Sequence, residues 1–299
     1  MRPEIEQAIV LLGKNDPTAL EEALALLQDT VFSFSMKVCG QREDAEDTTQ
    51  EVLVKSVSHL PKFDNPRALI VWLYRVAKNR CLMSRRRSKF APKQELSFDQ
   101  LMPDKLELEL LAKEMPATPE TQAIRGQQAR RLREAVQRLP PQYRIVLVLR
   151  DMEGLTDEEV AEITGLKPGN IRVRLHRARS FVRKELAHID LERRARANAA
   201  GQMRSTSAGN QPGRSASCKA MFAELSNYLD EQLDDSLCKD LEEHFQGCAP
   251  CRAFLASLEN TIEQLREMPN ARLDRASAVK IRTQLLATYP FRRFGKFRQ

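Results

Sequence analysis

The chain has 299 residues, 42% of them apolar, and a formal net charge of +7. That is more than one ordinary domain and enough apolar material for real cores in two or three compact units, and the basic excess leaves nucleic acid and acidic membrane surfaces open as polyanionic partners. No apolar run approaches the length of a membrane-spanning helix, and the opening MRPEIEQAIVLLGKNDP lacks the flanks of a signal peptide, so the expectation is a cytoplasmic protein without a membrane partner whose six cysteines are buried thiols plus a metal site.

In chain order, helical periodicity dominates and no stretch alternates with period two, which predicts an all-α fold. Residues 3 to 13 and 17 to 39 read as an opening helical pair, and a third helix runs from about Asp44 to His59 until Pro61 stops it. KFDNPR, Lys62 to Arg67, is a loop, and Ala68 to Arg87 returns to a helix ending in a basic run. Leu96 to Gln128 carries Pro103, Pro116 and Pro119 among acids and suits a linker with a short helix. Apolar periodicity resumes from Arg130 to Ala187, is lost in a Gly, Ser and Asn-rich tether at 196 to 217, and returns from Cys218 to Met268 ahead of a basic tail. There is no internal repeat, phosphate loop or HExxH motif.

Residues 156 to 179, TDEEVAEITGLKPGNIRVRLHRAR, have the spacing of a helix-turn-helix. Thr156 precedes three acids as a cap, Ala161 suits a close helix crossing, Gly165 supplies a left-handed turn, and Ile171, Leu175, Ala178 and Val182 form a buried stripe. Arg172, Val173, His176 and Arg177 then face outward, where arginine forks can take guanine edges and Val173 a thymine methyl. Arg174, Arg179 and Arg183 suit phosphates. The bland alternative is a solvated basic face.

Leu132 to Leu186 resembles region four of extracytoplasmic-function sigma factors, which implies that Arg172, Val173, His176 and Arg177 read the minus-35 promoter element, with Arg174 and Arg179 beside them on DNA. Asp44 to Phe63 and the following PRALIVWLYRVAKNRCLMSRRR resemble sigma region two. The helical spacing sets Asp47, Gln50, Glu51 and Val54 on one side, and the resemblance implies that this side grips the β′ clamp helices of RNA polymerase core. The next helix brings Trp72, Tyr74, Arg75 and Asn79, then Arg85 and Arg86; aromatics and cations are what an unstacked base and a displaced backbone require, although Trp72 and Tyr74 also suit a core. By resemblance, the loop of Phe63, Asp64 and Asn65 holds the flipped minus-10 base. The family commonly has an acid four residues after the Asn, where this chain has Met83.

HFQGCAPC places His244, Cys248 and Cys251 in a His-x3-Cys-x2-Cys pattern suited to tetrahedral zinc. Cys218 and Cys238 are both available as a fourth ligand; helical geometry points Cys238 away, and Cys218 matches the upstream cysteine of zinc-containing anti-sigma domains, which Cys218 to Leu255 resembles. Cys39 and Cys81 read as buried thiols.

The expected organisation is region two over 1–95, an acidic linker over 96–129, region four over 130–190, a tether over 191–217, an anti-sigma-like zinc domain over 218–268 and a basic tail over 269–299. The implied function is a sigma factor without a chemical active site, directed to promoter DNA and regulated by the zinc domain docking on the sigma domains. A helix-turn-helix regulator that never engages polymerase is the alternative, and a zinc enzyme is disfavoured by a Cys-rich, closed ligand set.

Overall fold

The computed structural model describes residues 3–14, 16–84, 95–103, 122–198 and 216–288. Among them every regular element is helical: α1 (Pro3–Gly13), α2 (Pro17–Cys39), α3 (Arg42–Val57), a 3-10 turn (Leu60–Lys62), α4 (Pro66–Ser84), α5 (Phe98–Leu101), α6 (Gln122–Arg138), α7 (Pro141–Leu147), a π turn (Val148–Met152), α8 (Asp157–Thr164), α9 (Pro168–Asn198), α10 (Ala216–Leu229), α11 (Asp235–Gly247), α12 (Ala249–Arg266) and α13 (Arg275–Thr288). The all-α reading holds. The described residues fall into two compact units, one drawn from 1–93, 148–168 and 269–299, the other from 94–147 and 169–268.

In the first unit α2 is the central helix. Asp16 caps it by accepting from the Ala19 amide at 2.9 Å, Pro17 opens it, and Gly40 closes it at φ 82°, where a side chain would be strained. Apolar residues of α1 (Ile5, Ala8), α3 (Val52, Leu53) and α4 (Leu69, Leu73) are buried with Leu24, Leu27 and Phe34 of α2. Tyr74 belongs to this core, stacked on Phe34 with ring centroids 4.2 Å apart. Cys39 and Cys81, expected to be free thiols, are joined in a disulfide instead. The end of α2 and the end of α4 meet in a buried spot, and residues 42 apart in sequence come to 5.4 Å between Cα atoms.

The C-terminal segment differs from expectation too. Its basic composition hides a helix: α13 packs on α2 and α3 with Ile281 and Leu285 buried, and Asp274 caps it through the Ser277 amide. That hydrogen bond, joined by Arg42, holds the Asp274 carboxyl down at about 2.

In the second unit Arg144, buried on α7, donates to the carbonyls of Val136, Gln137 and Leu139, closing the end of α6. This satisfies carbonyls a helix terminus would otherwise leave open. The body of α9 continues to Asn198, so the start of the stretch read as tether is helical, while 199–215 lies outside the described residues. Phe222 and Leu225 of α10, Leu241 and Phe245 of α11, and Phe254, Leu258 and Ile262 of α12 share one apolar cluster.

Candidate nucleic-acid interface and metal site

The helix-turn-helix begins as its sequence requires. Thr156 accepts from the Glu159 amide while the Glu159 carboxylate accepts from the Thr156 amide, a reciprocal box, and Gly165 ends α8 at φ 74° with its amide on the Ala161 carbonyl. On α9 the stripe of Ile171, Leu175, Ala178 and Val182 is buried as predicted.

The outward face is most exposed at its start. Arg172 is exposed, Val173 is 50% exposed, and Arg174 and Arg177 are half-buried. From His176 onward the metal-site helices cover the face. His176, expected outside, is 6% exposed: its Nδ1 lies 2.9 Å from the Ser226 hydroxyl and its ring meets the edge of Phe222. Burial, then the charges of Arg179 and Arg177, pushes its imidazole from 6.5 down to about 4. Arg179, 1% exposed, forks onto Asp230 of the α10–α11 turn at 2.8 and 2.9 Å, and Arg183 lies over the Phe254 ring at 4.3 Å. Two arginines expected to meet phosphate are thus engaged with protein here. The partners of His176 and Arg179 follow them by 50 and 51 residues and Phe254 lies farther still from Arg183, beyond the reach of helical periodicity.

Of the proposed base-holding residues, Phe63 in the loop before α4 meets Trp72 on that helix. Trp72 is half-buried with its ring against His59 and Phe63, and Asp64, Asn65 and Asn79 are exposed. Asn65 also has a local task, accepting from the Arg67 amide at the helix start. Arg75 donates to the Glu162 carboxylate and carbonyl at 2.9 and 2.8 Å. Arg67 pairs with Glu159, and Lys78 donates to the Ile163 carbonyl at 2.9 Å. Burial, with Arg75 close by, lowers the Lys78 ammonium from its ordinary value. Arg85 and Arg86 lie outside the described residues. Sequence reading missed Arg67 and Lys78, whose partners on α8 are long-range.

Of the side predicted to meet polymerase, Asp47 is exposed and Gln50, Glu51 and Val54 are half-buried along α3. Glu51 accepts from Lys55 and Arg80, both at 2.6 Å.

His244 in the last turn of α11, Cys248 at the junction and Cys251 in the first turn of α12 bring their donor atoms within 4.8 Å of one another. The junction is fixed by Arg252, which donates to the Phe245 carbonyl at 2.9 Å. A tetrahedral ion with sulfur and nitrogen ligands needs donors roughly 3.7 Å apart, so small side-chain rotations close the site. Two thiols and an imidazole can hold a metal ion. Cys238, half-buried, stands outside this group, and the Cys218 side chain lies outside the described ones. Among the described residues no helix is long and apolar enough to cross a membrane.

A basic recognition helix, a separate aromatic and basic helix, and a Cys/His-bearing helical domain define a DNA-binding transcription protein with an added metal module. Residues 24–90 match the sigma-70 region 2 family, 129–182 the sigma-70 region 4 family, and 218–252 a zinc-finger family. The chain is 26% identical over 189 residues to the extracytoplasmic-function sigma factor SigW of Bacillus subtilis, spanning 63% of this chain and 100% of that protein. It is 32% identical over 160 residues to the sigma factor SigE of Mycolicibacterium smegmatis, spanning 53% and 58%, and 26% identical over 184 residues to the RNA polymerase sigma-H factor of Pseudomonas aeruginosa, spanning 60% and 93%. The chain thus carries sigma-70 regions 2 and 4 followed by a zinc-finger region, and the relatives it resembles are extracytoplasmic-function RNA polymerase sigma factors.

Proposed function

We propose that this sigma factor is restrained in cis by its metal domain, which lies over the part of the recognition helix needed for the minus-35 element. The carrying observation is the seat of α10 and α12 on α9, where Asp230 takes Arg179 and Ser226 takes His176. DNA cannot share those groups while the domain is docked. The connecting chain raises the domain's effective concentration, so weak contacts suffice to hold it.

In the released state, Arg172, Val173, His176 and Arg177 read minus-35 base edges, with Arg174 and Arg179 on the adjoining backbone. Phe63, Asp64, Asn65, Trp72, Arg75, Asn79, Arg85 and Arg86 serve the minus-10 element, and Asp47, Gln50, Glu51 and Val54 meet the β′ clamp helices. The protein works in the cytoplasm with RNA polymerase core. Zinc is the ion that fits the donor set: His244, Cys248 and Cys251 would hold it, with Cys218 as the fourth ligand, and bound metal would tie α11 to α12 and stabilise the small domain.

The test is run-off transcription by purified core polymerase with the full chain or its Asp230→Ala variant. A buried arginine that loses its partner destabilises the docked state by about 3–5 kcal/mol, so the variant initiates more strongly and binds a minus-35 duplex more tightly. Equal activity and equal affinity for the two chains overturn the reading.

A further inference from the structure

Residues beyond 252 match none of the three families, and the relatives above align with at most 63% of the chain. Yet within the first unit the stretch that follows the metal domain is tightly engaged. Asn270 Oδ1 accepts from the Ser33 hydroxyl and from the Lys37 ammonium, both at 3.0 Å. Asp274 pairs with Arg42, and the Ala278 carbonyl accepts from Gln28 at 3.2 Å. Asp29 lies among Arg272 and Arg282, whose charges work against the burial that raises its carboxyl. Gln28, Ser33 and Lys37 are buried along α2, and each donates a hydrogen bond to this segment.

Lys37 gives the arrangement its consequence. Its ammonium serves Asn270 and also Glu153 at 2.9 Å, and the Glu153 carboxylate accepts the Tyr74 hydroxyl. The Glu153 side chain is fully buried. It sits just before α8, the helix whose Glu159, Glu162 and Ile163 carbonyl take Arg67, Arg75 and Lys78 of α4.

We infer that residues 270–288 form a latch which, through Lys37 and Glu153, holds the first helix of the helix-turn-helix against the helix carrying the minus-10 residues. While the latch is shut, the acids of α8 occupy basic groups that promoter phosphates would take. The contacts of Lys37 with Asn270 and Glu153 are coupled: withdrawing Asn270 takes an acceptor from a buried ammonium and loosens its hold on Glu153, so latch and α8 open together. The inference rests on the proposed promoter role of α4 and names a second restraint beside the metal domain.

Hydrogen exchange by mass spectrometry on the full chain tests it. Asn270→Ala and Lys37→Met should raise exchange across 157–164 roughly ten-fold or more, together with 270–288, as expected for loss of a hydrogen bond to a charged group. Asp274→Ala, at an exposed ion pair, opens the latch without disturbing the core should Lys37→Met fail to fold, and it should shift both stretches in parallel. Faster exchange at 270–288 with 157–164 unchanged in Asn270→Ala and Asp274→Ala overturns the latch. A chain with Cys248→Ser and Cys251→Ser reports on the metal domain separately: exchange gained at 172–183 without change at 157–164 supports that restraint and leaves the latch to the Asn270 result.

Discussion

His176 is caught between two roles. It is one of the proposed minus-35 residues on α9, and in the structure it is buried against Phe222 and Ser226 with Arg177 and Arg179 beside it and Asp230 compensating Arg179. A ring held down to about 4 must stay neutral to remain docked, whereas a released ring titrates near 6.5. The docked state is therefore fully favoured above 6.5 and loses that advantage as pH falls towards 4, a difference of about 3 kcal/mol at most. Amide protection across 172–183, corrected for intrinsic rates, should decrease between pH 7.5 and 5.5 and become flat in His176→Gln. On the same helix Arg172 is exposed and Arg174 half-buried, so a chain ending at Asn198 separates their parts. Arg172→Ala should relax preference at one minus-35 position by about 1–3 kcal/mol, and Arg174→Ala should weaken all duplexes alike. Binding to single-base-pair variants checks both. Arg179→Ala cannot be interpreted this way in the full chain, because it also removes the partner of Asp230.

At the scale of elements, the features written locally were legible. Pro3–Gly13 and Pro17–Cys39 coincide with the predicted opening pair, the Thr156 cap and the Gly165 turn sit where the residues require them, and Ile171, Leu175, Ala178 and Val182 are buried. His244, Cys248 and Cys251 converge because their spacing brings a helix end, a junction and a helix start together. What was not legible depends on partners distant in sequence: periodicity marks a face as buried or exposed without saying what covers it. His176 and Arg179 looked solvent-facing until α10 was seated on them, Cys39 and Cys81 looked like thiols until α2 and α4 were packed, and Ile281 and Leu285 were passed over in a segment dominated by basic residues. The metal domain offers the sharpest element-level test. With a core of seven buried apolar residues over three helices, it should depend on metal for much of its stability. Cys248→Ser and Cys218→Ala should abolish stoichiometric zinc by elemental analysis, while Cys238→Ala keeps it. Zinc kept in Cys218→Ala and lost in Cys238→Ala would reassign the fourth ligand.

Across the whole molecule, the two proposed restraints act on different helices and come from consecutive stretches of chain, the metal domain through Met268 and the latch from Asn270. Removing them in order should separate their effects. A chain ending at Met268 keeps Asp230 and Ser226 on α9 but lacks Asn270 and α13, so Arg67, Arg75 and Lys78 become available while His176 and Arg179 stay covered. It should gain affinity for single-stranded minus-10 DNA and little for a minus-35 duplex. A chain ending at Asn198 loses both and should gain affinity for each, with the strongest initiation from purified core polymerase. Replacing Cys248 and Cys251 by serine in the full chain should do the reverse of the short truncation, raising minus-35 binding and leaving minus-10 binding near its starting level. Basic residues freed in this way add phosphate contacts, so the gains should shrink with salt. Should the chain ending at Asn198 initiate no better than the full chain, and bind both elements no more tightly, the C-terminal hundred or so residues would not be restraints.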